Sequence, residues 1–250
     1  MAVAEKMLQS RLNKFGKEII NHKIYVLAGD GCIMEGINTE AASFAGHLGL
    51  NNLIVIYDDN NITIEGETHI TFSEDVCKKF EALGWTAVSM DGHNMDDVEK
   101  TLESFKKNQT KPVLIKCRTI IGKGAPAKNN TCDVHGSALG ANELKALKKN
   151  LGFNPDEYFT ISDEVRAVFR KRNEHLKLIF ENWKTEFDKL YSENTEFKKN
   201  YDAYFNNSFN CENIKDDLYK LFPAGKDIAT RAAGGKIMNY IAEYIPQLVG

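Results

Sequence analysis

Four short apolar runs stand out along the first half of the chain, at residues 24–28, 53–57, 86–90 and 112–117. Each is strand-length and lacks strict alternation, the pattern of strands covered on both faces. Between them lie segments whose apolar residues recur every three to four positions, at 34–48, 73–83 and 95–107, which predicts helices with one polar face. Strand and helix in regular alternation predict an α/β fold, a parallel sheet with helices on both faces. Residues 122–138 are rich in Gly, Asn, Pro and Ala and read as an ordered loop over the strand ends. From 141 onward the pattern turns helical and charged, predicting helices at 142–151, 162–190, 194–204, 213–221 and 228–244 as an outer extension. The opening residues, 1–15, read as an amphipathic helix, and 246–250 as the start of a strand.

Composition narrows the function classes. The chain has 250 residues, 42% of them hydrophobic, with 32 basic and 35 acidic side chains and a net charge of −3. That balance supplies no general attraction to nucleic acid or an anionic membrane, so neither is expected as a partner. The longest apolar runs fall far short of the roughly 20 residues that a membrane-spanning helix needs. Five cysteines, Cys32, Cys77, Cys117, Cys132 and Cys211, are odd in number and widely spaced. Without a Cys-x-x-Cys pair they suggest neither a disulfide framework nor a zinc site, and a reduced, cytoplasmic setting is expected.

The chemistry concentrates at two strand ends. Gly29-Asp30-Gly31 follows the first run, and Asp58-Asp59-Asn60-Asn61-Ile62 follows the second. One strand–helix–strand unit separates them, so Asp30 and Asn60 are expected to project from adjacent strand ends into one crevice. A carboxylate, an amide oxygen and a main-chain carbonyl are hard oxygen ligands suited to Mg²⁺ or Ca²⁺. Glycines flanking Asp30 permit close approach of a diphosphate, and a helix beginning near Met34 would turn its positive end toward that charge. Alternation directs Asp59 away from the crevice.

The spacing of these two signals matches the thiamine-diphosphate fingerprint, and the surrounding segments resemble the transketolase family. They are residues 29–41 (Gly-Asp-Gly-Cys-Ile-Met-Glu-Gly-Ile-Asn-Thr-Glu-Ala), 44–48 (Phe-Ala-Gly-His-Leu), 57–66, 118–124 (Arg-Thr-Ile-Ile-Gly-Lys-Gly), 134–139 and 228–231. The likeness runs in order along essentially the whole chain. It implies a thiamine-diphosphate-binding fold, with the cation held by Asp30, Asn60 and the carbonyl of Ile62. The cofactor would lie against Gly29 and Gly31, with Ile64 and Ile121 packed on its thiazolium. By the same resemblance His135 would reach the diphosphate and the reacting centre, Arg231 would pair with a sugar phosphate, and Glu35 would sit at the subunit interface of a homodimer. His22, His47, His69, His93 and His175 match no family site position and read as surface or helix residues.

The implied activity is transfer of a two-carbon glycolaldehyde unit from a ketose phosphate to an aldose phosphate. Within the same class dihydroxyacetone synthase and deoxyxylulose-phosphate synthase are the runner-up activities, and Tyr57-Asp58-Asp59-Asn60 with Ile121-Gly122-Lys123-Gly124 favours transketolase over the latter. The resemblance further implies residues 1–205 as a diphosphate- and metal-binding domain lacking its upstream Gly-rich turn, and 206–250 as a linker and the beginning of a pyrimidine-binding domain. On that basis the chain is expected to be a fragment, inactive alone. One subunit of a split enzyme and a non-catalytic interaction protein are the alternatives.

Overall fold

A computed structural model describes residues 1–206, 214–245 and 247–248. Cys211, the first residue of the helix expected over 213–221, and Pro246, Val249 and Gly250 lie outside the described residues, while Gln247 is in a turn. The elements in chain order are α1 (Ala2–Leu12), β1 (Ile24–Gly29), α2 (Asp30–Met34), α3 (Gly36–His47), β2 (Leu53–Asp59), α4 (Val76–Ala82), β3 (Thr86–Asp91), α5 (Met95–Lys107) and β4 (Val113–Arg118). They are followed by α6 (Ala141–Asn150), α7 (Asp163–Glu193), α8 (Thr195–Phe205), α9 (Ile214–Lys220) and α10 (Thr230–Ala242). The chain divides into two compact units, one of Met1–Met7 with Asn21–Val168, the other of Leu8–Ile20 with Phe169–Gly250.

In the first unit the four strands form one parallel sheet in the order β1-β2-β4-β3. Alternation along β2 sends Leu53, Val55 and Tyr57 to one face and Ile54 and Ile56 to the other. The first face packs on Ile33, Ala42, Ala45, Val76 and Phe80 from α2, α3 and α4, the second on Val98, Leu102 and Phe105 from α5. Helices therefore cover both faces, as the apolar runs predict. The Trp85 indole donates to the Ala42 carbonyl at 2.8 Å and meets the Phe80 ring edge-on, locking α3 to the end of α4.

Several boundaries differ from the sequence expectation for local reasons. The helix expected over 34–48 is two: Glu35 adopts an extended backbone (φ −66°, ψ 136°), so a short α2 begins already at Asp30 and α3 restarts at Gly36. The helix expected over 73–83 starts later, at Val76, because the Asp75 side chain caps it by accepting from the Lys78 N–H. β4 begins after Pro112, which has no N–H for the ladder. The run at 24–28 is not buried as a whole: in β1, Tyr25, Val26 and Leu27 are exposed. β1 is an edge strand among the described residues, pairing with β2 alone.

The second unit is held by an aromatic cluster. Leu12, Ile19 and Phe197 are buried among Phe187, Leu190, Tyr191 and Tyr201. The Trp183 indole donates to the Ile19 carbonyl at 3.0 Å, and Asn194 caps α8 by accepting from the Phe197 N–H. Among the described residues, no helix is long and apolar enough to cross a membrane.

Candidate functional site

The register of the sheet sets Gly29 at the end of β1 directly beside Asp58 of β2. Asp30, the next residue, is buried and starts α2. Both of its carboxylate oxygens are engaged: Oδ1 accepts from the Tyr57 hydroxyl at 2.5 Å, and Oδ2 accepts from the Asn60 N–H at 3.2 Å. Burial pushes the Asp30 carboxyl above its ordinary range, helped by the Asp59 charge and opposed by the bonds from Tyr57 and Asn60. The Tyr57 phenol is pushed up as well, by burial first and then by the Asp30 carboxylate it donates to.

The β2 exit is pinned in its turn. Asn60 is buried, with its Oδ1 accepting from the Ile62 N–H at 3.0 Å and its Nδ2 donating to Asp58 at 3.3 Å. Asn61 takes a left-handed backbone (φ 63°), a conformation that asparagine tolerates, and the chain thereby doubles back to bury Ile62. The Thr119 hydroxyl bonds the Asp58 carboxylate from the β4 exit. Asp59 is directed the other way, as alternation predicts: its carboxylate faces Lys116 and Arg118, each at 3.4 Å.

These strand ends enclose a crevice of about 1140 Å³. Gly29, Asp30, Gly31, Asn60, Ile62, Ile64, Ile121, His135 and Glu35 all line it, so residues spread over more than a hundred positions converge on one hollow. Glu35 is exposed at the break between α2 and α3 and its side chain makes no capping bond. His135 enters from the loop, its N–H closing a turn onto the Cys132 carbonyl at 2.9 Å. Arg231 belongs to the second unit, exposed in the first turn of α10. Sequence reasoning missed Tyr57, whose apolar neighbours mark it as core and whose hydroxyl finds Asp30 only through the β1–β2 pairing.

The crevice suits a cation and an anion together. Among the described residues no three His, Cys, Asp or Glu side chains gather as a self-sufficient metal cage. A site of one carboxylate, one amide oxygen and a carbonyl instead leaves coordination positions to a ligand's own oxygens. Gly29 and Gly31 are not required by backbone conformation, since neither has a positive φ, nor by packing, since a Cβ on either would meet nothing within 4 Å. The space beside Asp30 is thus a cradle that side chains would fill and that a phosphate group fits.

Comparison with known proteins places the chain in a family. The family described as "Transketolase, thiamine diphosphate binding domain" matches residues 1–209. The transketolase of Aquifex aeolicus is 41% identical over 251 residues, covering 100% of this chain and 35% of that protein. The chloroplastic transketolase of Zea mays is 40% identical over 258 residues, again covering 100% of the chain and 37% of the relative. Among solved structures, the transketolase from Leishmania mexicana superposes with a TM-score of 0.87 at 32% identity, over 98% of this chain and 36% of that one. The chain spans little more than a third of the length of these relatives.

Proposed function

The chain belongs to the transketolase thiamine diphosphate binding domain family, and from that premise we propose that its crevice binds thiamine diphosphate through a divalent cation, Mg²⁺ or Ca²⁺. The observation that carries the reading is a buried carboxylate, Asp30, set beside two glycines whose open space neither backbone conformation nor packing explains. Asp30, the Asn60 amide oxygen and the Ile62 carbonyl would hold the cation, with Gly29 and Gly31 against the diphosphate. Tyr57 and the Asn60 N–H fix the carboxylate's rotamer before any ligand arrives, which lowers the ordering cost of binding.

When bound, the cofactor supplies the carbanion chemistry that lets a two-carbon unit pass between sugars. The chain's own residues orient and shield. Ile64 and Ile121 would give the thiazolium an apolar wall that excludes water, and His135 would hold or move a proton near the reacting atoms and contact the diphosphate. Arg231, with its planar fork, would take the phosphate of a ketose or aldose phosphate, and Glu35 would meet a second subunit in a homodimer. The whole activity proposed is that of a transketolase, glycolaldehyde transfer from a ketose phosphate to an aldose phosphate, to which this chain contributes the diphosphate and metal half.

Calorimetric titration with thiamine diphosphate and Mg²⁺ tests the site. Asp30→Ala removes the one charged protein ligand proposed for the cation and should abolish metal-dependent binding. Unchanged affinity in that variant would overturn the assignment.

A further inference from the structure

We infer that His93 is a positioning residue of the crevice: its imidazole anchors the backbone of Ile120 and so fixes the Ile121 wall. The inference rests on the proposed reading of that crevice as the cofactor site.

Beyond Arg118 the chain leaves β4, and Thr119, Ile120 and Ile121 form one side of the crevice. A segment that leaves a sheet loses its ladder partners, and its N–H groups then bond loop groups or water. The Thr119 N–H reaches back to the Asp59 carbonyl at 3.2 Å, and the Ile121 carbonyl accepts from the Asn130 N–H at 2.9 Å. Between them, the Ile120 N–H donates to His93 Nε2 at 2.9 Å. This is a side chain from the β3–α5 turn reaching across to the β4 exit, and the acceptor nitrogen requires the imidazole to carry its proton on Nδ1.

The turn is built to deliver that nitrogen. The Gly92 N–H donates to the Arg118 carbonyl at 2.9 Å, and a Cβ on Gly92 would lie 2.6 Å from Cys117 Sγ and 2.7 Å from Thr119 Cγ2. Only glycine lets the turn press so closely on β4. The His93 N–H is held by Asp91 Oδ1 at 2.9 Å, the Asp91 N–H by Asp97 Oδ2 at 2.8 Å, and Asn94 caps α5 by accepting from Asp96 and Asp97. The backbone on both sides of His93 is therefore fixed, leaving the ring to bridge to Ile120.

The test uses the full chain as wild type, His93→Ala and His93→Gln, since a glutamine Oε1 can stand where Nε2 accepts whereas alanine cannot. Amide hydrogen exchange at Ile120, thermal melting, and calorimetry with thiamine diphosphate and Mg²⁺ are measured on each. His93→Ala should speed Ile120 exchange at least tenfold and weaken cofactor binding roughly threefold to tenfold, the loss of one hydrogen bond. His93→Gln should restore both, while melting changes little in either variant. Unchanged Ile120 exchange in His93→Ala would overturn the anchor, and lost protection with unchanged affinity would overturn the positioning role. Failure of His93→Gln to rescue, with its fold intact, would overturn the acceptor argument. A wild-type chain that binds no cofactor would overturn the crevice reading and the positioning role with it, and Ile120 exchange would then decide the anchor alone.

Discussion

At the scale of single residues, the site is a compromise between burial and charge centred on Asp30. Desolvation raises its carboxyl pKa from an ordinary value near 3.8, so between that value and the raised one the folded chain binds more proton than the unfolded chain. By linkage, stability falls as pH rises through that window and the penalty is constant above it, with a limiting slope of about 1.4 kcal/mol per pH unit for one group. Asp30→Asn abolishes the slope and can keep both contacts, its Oδ1 accepting from the Asn60 N–H and its Nδ2 donating to the Tyr57 hydroxyl, which then donates to Asp59. We expect the melting midpoint of the metal-free wild type, relative to the variant, to decline from pH 4 upward and then level off; a difference flat in pH would show that Asp30 is not a strained carboxylate. Asp30 and Asn60 were readable from the sequence because each follows an apolar run at a strand end. Tyr57 was not, because its role depends on a contact with a residue 27 positions away in the chain.

At the scale of elements, the apolar runs located all four strands to within two residues and the helical period located α5; in β4, burial on both faces accounts for the unbroken apolar run. What the sequence could not reveal was the break at Glu35, where one expected helix becomes α2 and α3. No proline marks it, and Gly36, which follows it directly, is a lone glycine of the kind a helical pattern tolerates; the extended backbone of Glu35 ends α2. The glycines around this break separate structural from binding roles. Gly46 in α3 sits so close to α4 that an added Cβ would lie 1.8 Å from the Leu83 carbonyl oxygen, so Gly46→Ala must push the two helices apart. It should cost about 1–3 kcal/mol or more, a midpoint drop of about 2–4 °C per kcal/mol, and leave cofactor affinity of the folded protein intact. Gly31→Ala faces open space inside α2. Its melting midpoint should hold or rise, because alanine favours a helix by about 1 kcal/mol. Its affinity for thiamine diphosphate should fall as the methyl enters the diphosphate cradle. Equal binding by Gly31→Ala and wild type would remove the cradle from the site.

At the scale of the molecule, β1 is where the sequence pattern and the structure part most. Its apolar run predicted a strand covered on both sides, yet Tyr25 and Leu27 are 49% and 81% exposed and Val26 is 39% exposed on the opposite face. Periodicity reports that a strand is suited to burial, and here the described residues do not supply the cover. Among the described residues β1 pairs with β2 along one edge alone, so there an apolar strand presents both a sticky face and a row of backbone donors and acceptors without strand partners. Such edges template association unless a charge or a bulge blunts them, and β1 has neither between Ile24 and Gly29. The purified chain should therefore self-associate with rising concentration in sedimentation velocity. Tyr25→Lys places a charge on the exposed strand at a residue outside the crevice lining, where it should weaken association while shifting the melting midpoint little, since the side chain is already half in water. If the wild type stays monomeric across the concentration range, the exposed strand is tolerated as it stands. If Tyr25→Lys associates as strongly as wild type, the contact is made by a surface other than β1.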